Sequence, residues 1–156
     1  NGWRMLSHGN LRSILGFNRC WLRHVFCVYK RKADIKLEIT RLVVGMVETN
    51  CYIALNPQNK EAVIVDPGDN APKIIETCGK LGASVKAILL THGHFDHVMA
   101  MEELRLKYKA PVFASEQEAG VLADPDKNLS CQFMSGGLYL KADRLLKKLL
   151  WSCRHF

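Results

Sequence analysis

Thr91-His92-Gly93-His94-Phe95-Asp96-His97 follows directly on the apolar run Val85 to Leu90, which only Lys86 interrupts. A short apolar run of this kind reads as an interior strand, so the histidines stand where a buried strand emerges. Three histidines and one aspartate fall within six positions. In extended backbone alternate residues share a face, so His92 and His94 can point at one ion. A turn after Phe95 then presents Asp96 and His97 to a neighbouring ion. Imidazole and carboxylate donors at this density suit zinc, with iron or manganese as alternatives. Gly93 lets backbone approach closely with no side chain in the way. A polar loop of hydrogen-bonded histidines is the competing reading, and ligand density and spacing favour the metal.

A paired metal site of this kind performs hydrolysis. It acidifies a water so that hydroxide is available near neutral pH, and it polarises a carbonyl or phosphoryl oxygen. Asp96 takes a catalytic role beside its ligand role, orienting the attacking hydroxide. No serine or cysteine nucleophile is required, and the sequence offers no convincing triad.

Outward from the loop, strands and helices alternate. Ile35 to Ile39 alternates apolar and polar, and Leu42-Val43-Val44 continues it, the pattern of a half-buried strand. Cys51 to Leu55 and Ala62 to Val65 flank the turn Asn56-Pro57-Gln58-Asn59 and predict an antiparallel pair. Asp66-Pro67-Gly68-Asp69 is a sharp breaker. Asn70 caps a helix predicted from Ala71 to Leu81, with Pro72 in its first turn and Gly82 beyond its end. After the histidine loop the pattern predicts a helix from Val98 to Lys109 and a strand over Pro111 to Ala114. Ser115 with Glu118 three residues on has the form of a capping box for a third helix, which Asp124-Pro125-Asp126 ends. Arg144 to Trp151 suits an amphipathic turn of helix. Strands alternating with helices indicate a layered α/β domain.

The net charge of +7 on 156 residues suggests nucleic-acid binding until it is mapped. Residues 1–33 hold Arg4, Arg12, Arg19, Arg23, Lys30, Arg31 and Lys32 and no acidic residue, and the remaining basic residues balance the 15 acidic ones. The basic character belongs to this leader, and residues 34–156 are neutral. The leader is read as disordered or not native to the domain, with mitochondrial targeting as the alternative that its composition allows. A polypeptide starting at Asp34 is expected to keep the circular dichroism and melting of the full chain; unfolding on deletion would move the domain boundary upstream. The six cysteines have no close-spaced metal or redox pair, which favours reduced, buried thiols and a cytoplasmic location over a disulfide framework. No apolar run reaches the roughly 18 residues that span a bilayer.

The loop resembles the T-H-x-H-x-D-H signature of the metallo-β-lactamase superfamily, and its final His97 resembles the glyoxalase II-like and RNA-processing branches more than the true β-lactamases. Thr49-Asn50-Cys51-Tyr52 and Val65-Asp66-Pro67-Gly68-Asp69 resemble the stretches before that signature in small glyoxalase II-like hydrolases. The similarity runs from about Ile35 to Leu146. It implies the front half of an αββα sandwich over 34–146, with a tail of different character over 147–156. It further implies that His92 and His94 bind a first zinc, and Asp96 and His97 a second. Asp66 matches a residue beside the metal loop, implied to support the ligands without touching the ion; turn formation before Pro67 is its other reading.

Relatives of this type carry three further ligands downstream, two histidines and a bridging aspartate. After His97 the chain has only His155, and Asp124, Asp126 and Asp143 precede the place where the next ligand belongs. The expectation is a chain truncated after the first half, with one face of its sheet exposed and open to self-association. Three functions follow: hydrolysis of a small thioester of the hydroxyacylglutathione type, an inactive fragment that binds metal weakly, or an RNA-processing nuclease. The neutral domain argues against the last, so no nucleic-acid partner is expected.

Overall fold

The computed structural model describes residues 36–147; expectations for the leader and for the tail beyond Lys147 lie outside these residues. Six strands form one sheet in sequence order: β1 Glu38–Val44, β2 Thr49–Leu55, β3 Glu61–Val65, β4 Ser84–Leu89, β5 Val112–Ser115 and β6 Arg144–Leu146. The first three pair antiparallel and the last three join in parallel. Helix α1, Ala71–Leu81, makes the crossover from β3 to β4. Its start is fixed as predicted: Asn70 accepts a hydrogen bond from the Lys73 N–H at 3.2 Å, and Gly82 closes the helix at φ 64°.

The predicted helix from Val98 to Lys109 is two helices, α2 Phe95–Val98 and α3 Met101–Tyr108. The interruption has a tertiary cause. The Ala100 N–H donates to Pro67 O at 3.0 Å instead of continuing the helix, and the Gly68 backbone lies so close to the Asp96 carbonyl that a Cβ on residue 68 would collide with it. The helix therefore begins three residues earlier than expected and includes Asp96 and His97.

Two further expectations are corrected. Ser115 and Glu118 do not form a capping box. Ser115 Oγ accepts from the Gln117 N–H at 3.3 Å at the head of a 3₁₀ turn, Glu116–Glu118, and only the four-residue helix α4, Ala119–Leu122, follows. Over 144–146 the predicted helical turn is strand β6, since β5 offers it an open edge. The Asp143 N–H donates to Val112 O at 2.9 Å and its carboxylate accepts from the Val112 N–H at 2.8 Å, which sets the register of the added strand.

The core lies between one sheet face and helices α1 and α3. Ile53, Ile64, Ile88 and Val112 from the sheet meet Ile74, Met101 and Leu104, all fully buried. Truncating any of the larger ones to alanine costs about 2–5 kcal/mol. On the opposite face Tyr52, Ala54, Val63, Leu89 and Phe113 are half-buried, and Ile39 and Val43 are 41% and 40% exposed. Among the described residues nothing forms a second sheet over that face. Cys51 and Cys78 are buried, with burial pushing both thiols up, whereas Cys131 is exposed. No helix of the described residues is long and apolar enough to cross a membrane.

Candidate metal centre

The histidine loop is suspended from three other segments by every second backbone N–H. Thr91 N donates to Asp66 Oδ1 at 2.7 Å, Gly93 N to Glu118 Oε2 at 2.9 Å and Phe95 N to Asn128 O at 2.9 Å. His92, His94 and Asp96 alternate with these anchored residues and carry the donor side chains. Asn128 is itself fully buried; its side chain donates to Leu138 O at 2.8 Å and accepts from the Ser130 N–H at 2.9 Å. Gly93 packs against α4, where a Cβ would press on Val121 and Leu122.

Asp66 follows β3 in the left-handed region, φ 49°, and is only 4% exposed. Its Oδ2 accepts from the Thr91 hydroxyl at 2.6 Å. That hydroxyl has one proton and the carboxylate takes it, so the 2.9 Å contact between Thr91 Oγ1 and His92 Nδ1 is a donation from the imidazole. His92 thereby keeps its proton on Nδ1 and a lone pair on Nε2. Burial, then the neighbouring His97, pushes the His92 pKa down to about 4, so the ring is neutral at physiological pH.

His97 bridges two carboxylates. Its Nδ1 lies 3.1 Å from Asp66 Oδ2 and its Nε2 lies 3.3 Å from Asp96 Oδ2. Burial opposes its protonation, yet contact with Asp66 and the charges of Asp66 and Asp96 raise its pKa above the ordinary value. The Nδ1–Asp66 contact is Coulombic: the atoms are close, but Nδ1 is buried without an aligned hydrogen-bond partner. Asp96 Oδ2 also accepts from the Thr49 hydroxyl at 2.8 Å. The ring centroids of His92 lie 4.7 Å from His94 and 4.0 Å from His97, so all four sequence-predicted ligands gather at one end of the sheet.

This donor set fits a metal such as zinc in kind. With metal–ligand distances near 2.1 Å, two donors on a tetrahedral ion stand about 3.4 Å apart, and the 3.3 Å ion pair between Asp96 Oδ2 and His97 Nε2 is compatible with that spacing. The carboxylate of Asp66 stands 3.1 Å behind His97 Nδ1, the side from which a metal-binding imidazole would be oriented. In number the set is partial: among the described residues no group of three donors could hold an ion. The downstream carboxylates are engaged elsewhere, Asp124 with Lys127 at 2.9 Å, Asp126 with Cys131 Sγ at 3.0 Å, and Asp143 with Arg105 at 3.2 Å.

Beside Asp96 opens a pocket of about 90 Å³ walled by Met46, Val47, Phe95, Met99, Phe133 and Met134. Phe95 and Phe133 stack with centroids 4.4 Å apart. Three residues of the centre were missed in the sequence: Thr49, Glu118 and Asn128. Glu118 carried a signal, but one that points to a local cap; Thr49 stood out only as part of the resembling stretch Thr49 to Tyr52, with no role attached, and Asn128, which acts across the fold, carried none.

The sequence pattern of the Metallo-beta-lactamase superfamily matches residues 44–147. The chain is 38% identical over 88 residues to the "Probable metallo-hydrolase YqgX" of Bacillus subtilis (strain 168), covering 56% of this chain and 41% of that protein. Among solved structures it is similar to BLEG-1 B3 metallo-beta-lactamase, with a TM-score of 0.64 and 35% identity over 70% of this chain and 53% of that one. It is also similar to TTHA1623 in a di-iron-bound form, with a TM-score of 0.56 and 27% identity over 69% of this chain and 54% of that one. The chain thus spans about two-fifths to a half of the length of these relatives.

Proposed function

The chain belongs to the metallo-beta-lactamase superfamily, and from that premise we propose that its activity is metal-dependent hydrolysis of small thioesters of the hydroxyacylglutathione type, in the glyoxalase II-like branch. The observation that carries the metal reading is the Asp96–His97 pair at 3.3 Å with Asp66 behind it. His92 and His94 would hold one ion, and Asp96 and His97 its neighbour; zinc suits the donors, and iron is supported by the di-iron form of TTHA1623. When bound, such ions supply Lewis acidity and make hydroxide available near neutral pH.

The chain's own residues prepare that chemistry. Thr91 holds the His92 proton on Nδ1, and Asp66 supports His97 from behind. On this reading Asp96 would accept a hydrogen bond from the attacking water, and the largely apolar pocket beside it would receive the acyl group. The neutral balance of residues 34–156 disfavours a nucleic-acid substrate. The half-exposed apolar sheet face is proposed to self-associate, and the reduced buried thiols suit the cytoplasm.

The test is S-lactoylglutathione hydrolysis with zinc or iron supplied. With no third ligand for either ion among the described residues, the 156-residue polypeptide alone is expected to turn over little substrate. Co-expression with the downstream half of a relative is expected to restore turnover, and His94→Ala in that pair to remove it. Turnover that survives His94→Ala would overturn the assignment.

A further inference from the structure

We propose that Thr49 is the positioning residue of Asp96, through which the β1–β2 hairpin sets the carboxylate that meets the metal. The inference rests on the metal reading above. Thr49 opens β2 and pairs with Val44, the last residue of β1, so it closes the hairpin whose tip is Gly45 to Glu48. It is only 7% exposed, and a hydroxyl so buried needs a partner. Its partner lies 47 residues away: Thr49 Oγ1 donates to Asp96 Oδ2 at 2.8 Å.

Three features make this contact a constraint on Asp96 rather than a filler of hydrogen-bond capacity. A carboxylate turns freely about its last torsion, and an added donor selects one orientation. Thr49 is stiff, because a β-branched residue in a strand has few rotamers, so the hydroxyl is delivered from a fixed point. The hairpin behind it is also anchored: Lys73 Nζ of α1 donates to Val43 O at 3.0 Å. The oxygen that Thr49 selects is the one standing 3.3 Å from His97 Nε2, so the hydroxyl fixes how the two proposed donors face one another. Asp96 Oδ1 is left for a further contact.

The test compares the full 156-residue chain with Thr49→Val, which keeps shape and strand preference but lacks the hydroxyl, and Thr49→Ser, which keeps the hydroxyl. Zinc affinity is read by competition with a chromophoric chelator, ligand geometry by the visible absorption of bound cobalt, and apo stability by thermal melting. Thr49→Val is expected to bind zinc about 10–100-fold more weakly, the usual effect of losing a residue that orients a ligand. Its cobalt spectrum should change while its metal-free melting stays within a few degrees of the parent, and Thr49→Ser should recover most of the affinity. Parental zinc affinity in Thr49→Val would overturn the assignment of Thr49 and leave the metal reading standing. Loss in both variants in proportion to lowered apo melting would show a purely structural role and also overturn it. A parent chain that takes up neither zinc nor cobalt would remove the metal reading and this inference together.

Discussion

Replacing His92 and His94 together by alanine is expected to abolish zinc retention by the purified chain while leaving the metal-free fold in place. Both rings stand on the loop between anchored residues, and the anchors are backbone N–H groups that an alanine retains. The substitutions therefore remove donors without cutting the ties of the loop. Four-ligand structural zinc sites in small domains are worth on the order of 10–16 kcal/mol in apparent binding energy, about 3 kcal/mol per ligand, so the ion that loses His92 and His94 loses both of its donors and its neighbour is left with Asp96 and His97 alone. A centre already short of ligands has little reserve against losing two more. Protons do not compete strongly at His92, whose pKa of about 4 keeps the ring neutral, but they do at His97, whose pKa is raised, so metal loss on acidification should follow the protonation of His97. Elemental analysis after gel filtration gives the answer. Unchanged metal content in the double variant would mean that the ion, if any, binds elsewhere.

Local chemistry made some elements legible and tertiary chemistry hid others. Helix α1 could be bounded to the residue because Asn70, Pro72 and Gly82 each act within one turn. The four candidate donors stood out because they fall within six residues, and the strand before them because its apolar run is unbroken enough to mark an interior position. Glu118 was misread because Ser115 and Glu118 have the spacing of a capping box, whereas the carboxylate is drawn to a backbone N–H that lies 25 residues upstream. The break between α2 and α3 has no local signal at all. Met99 and Ala100 suit a helix well, and it is Pro67 and Gly68, on another segment, that take the Ala100 N–H and cover the Asp96 carbonyl. Thr49 is part of a strand pattern in which its hydroxyl has no visible purpose until the fold brings Asp96 to it.

Asp66→Asn is expected to keep the fold and yet cost metal affinity about 10–100-fold, a range typical of removing the carboxylate behind a metal-binding histidine. Asparagine is nearly isosteric and tolerates the left-handed backbone that Asp66 adopts at φ 49°. Its amide oxygen can still accept the Thr91 N–H in place of Oδ1. The other end of the side chain changes sign. Where Oδ2 accepted from the Thr91 hydroxyl and faced His97 Nδ1, the variant presents an N–H₂ group. Thr91 can rotate its hydroxyl and accept, which releases its proton toward His92 Nδ1 and disturbs the tautomer of the first imidazole. At His97 the carboxylate charge 3.1 Å from Nδ1 is lost, and with it the attraction that favours a proton on that nitrogen and leaves Nε2, 3.3 Å from Asp96 Oδ2, for the metal. One isosteric change thus disturbs two imidazoles with no loss of volume. Asp66→Ala separates this effect from simple removal, since it leaves the buried Thr91 N–H unpartnered at a cost of about 1–3 kcal/mol but imposes no tautomer. Nitrogen-15 shifts of the histidine rings, with zinc titration of both variants, distinguish the two. If Asp66→Asn binds zinc as tightly as the parent and His97 keeps its proton on Nδ1, then Asp66 serves the turn before Pro67 and not the metal centre.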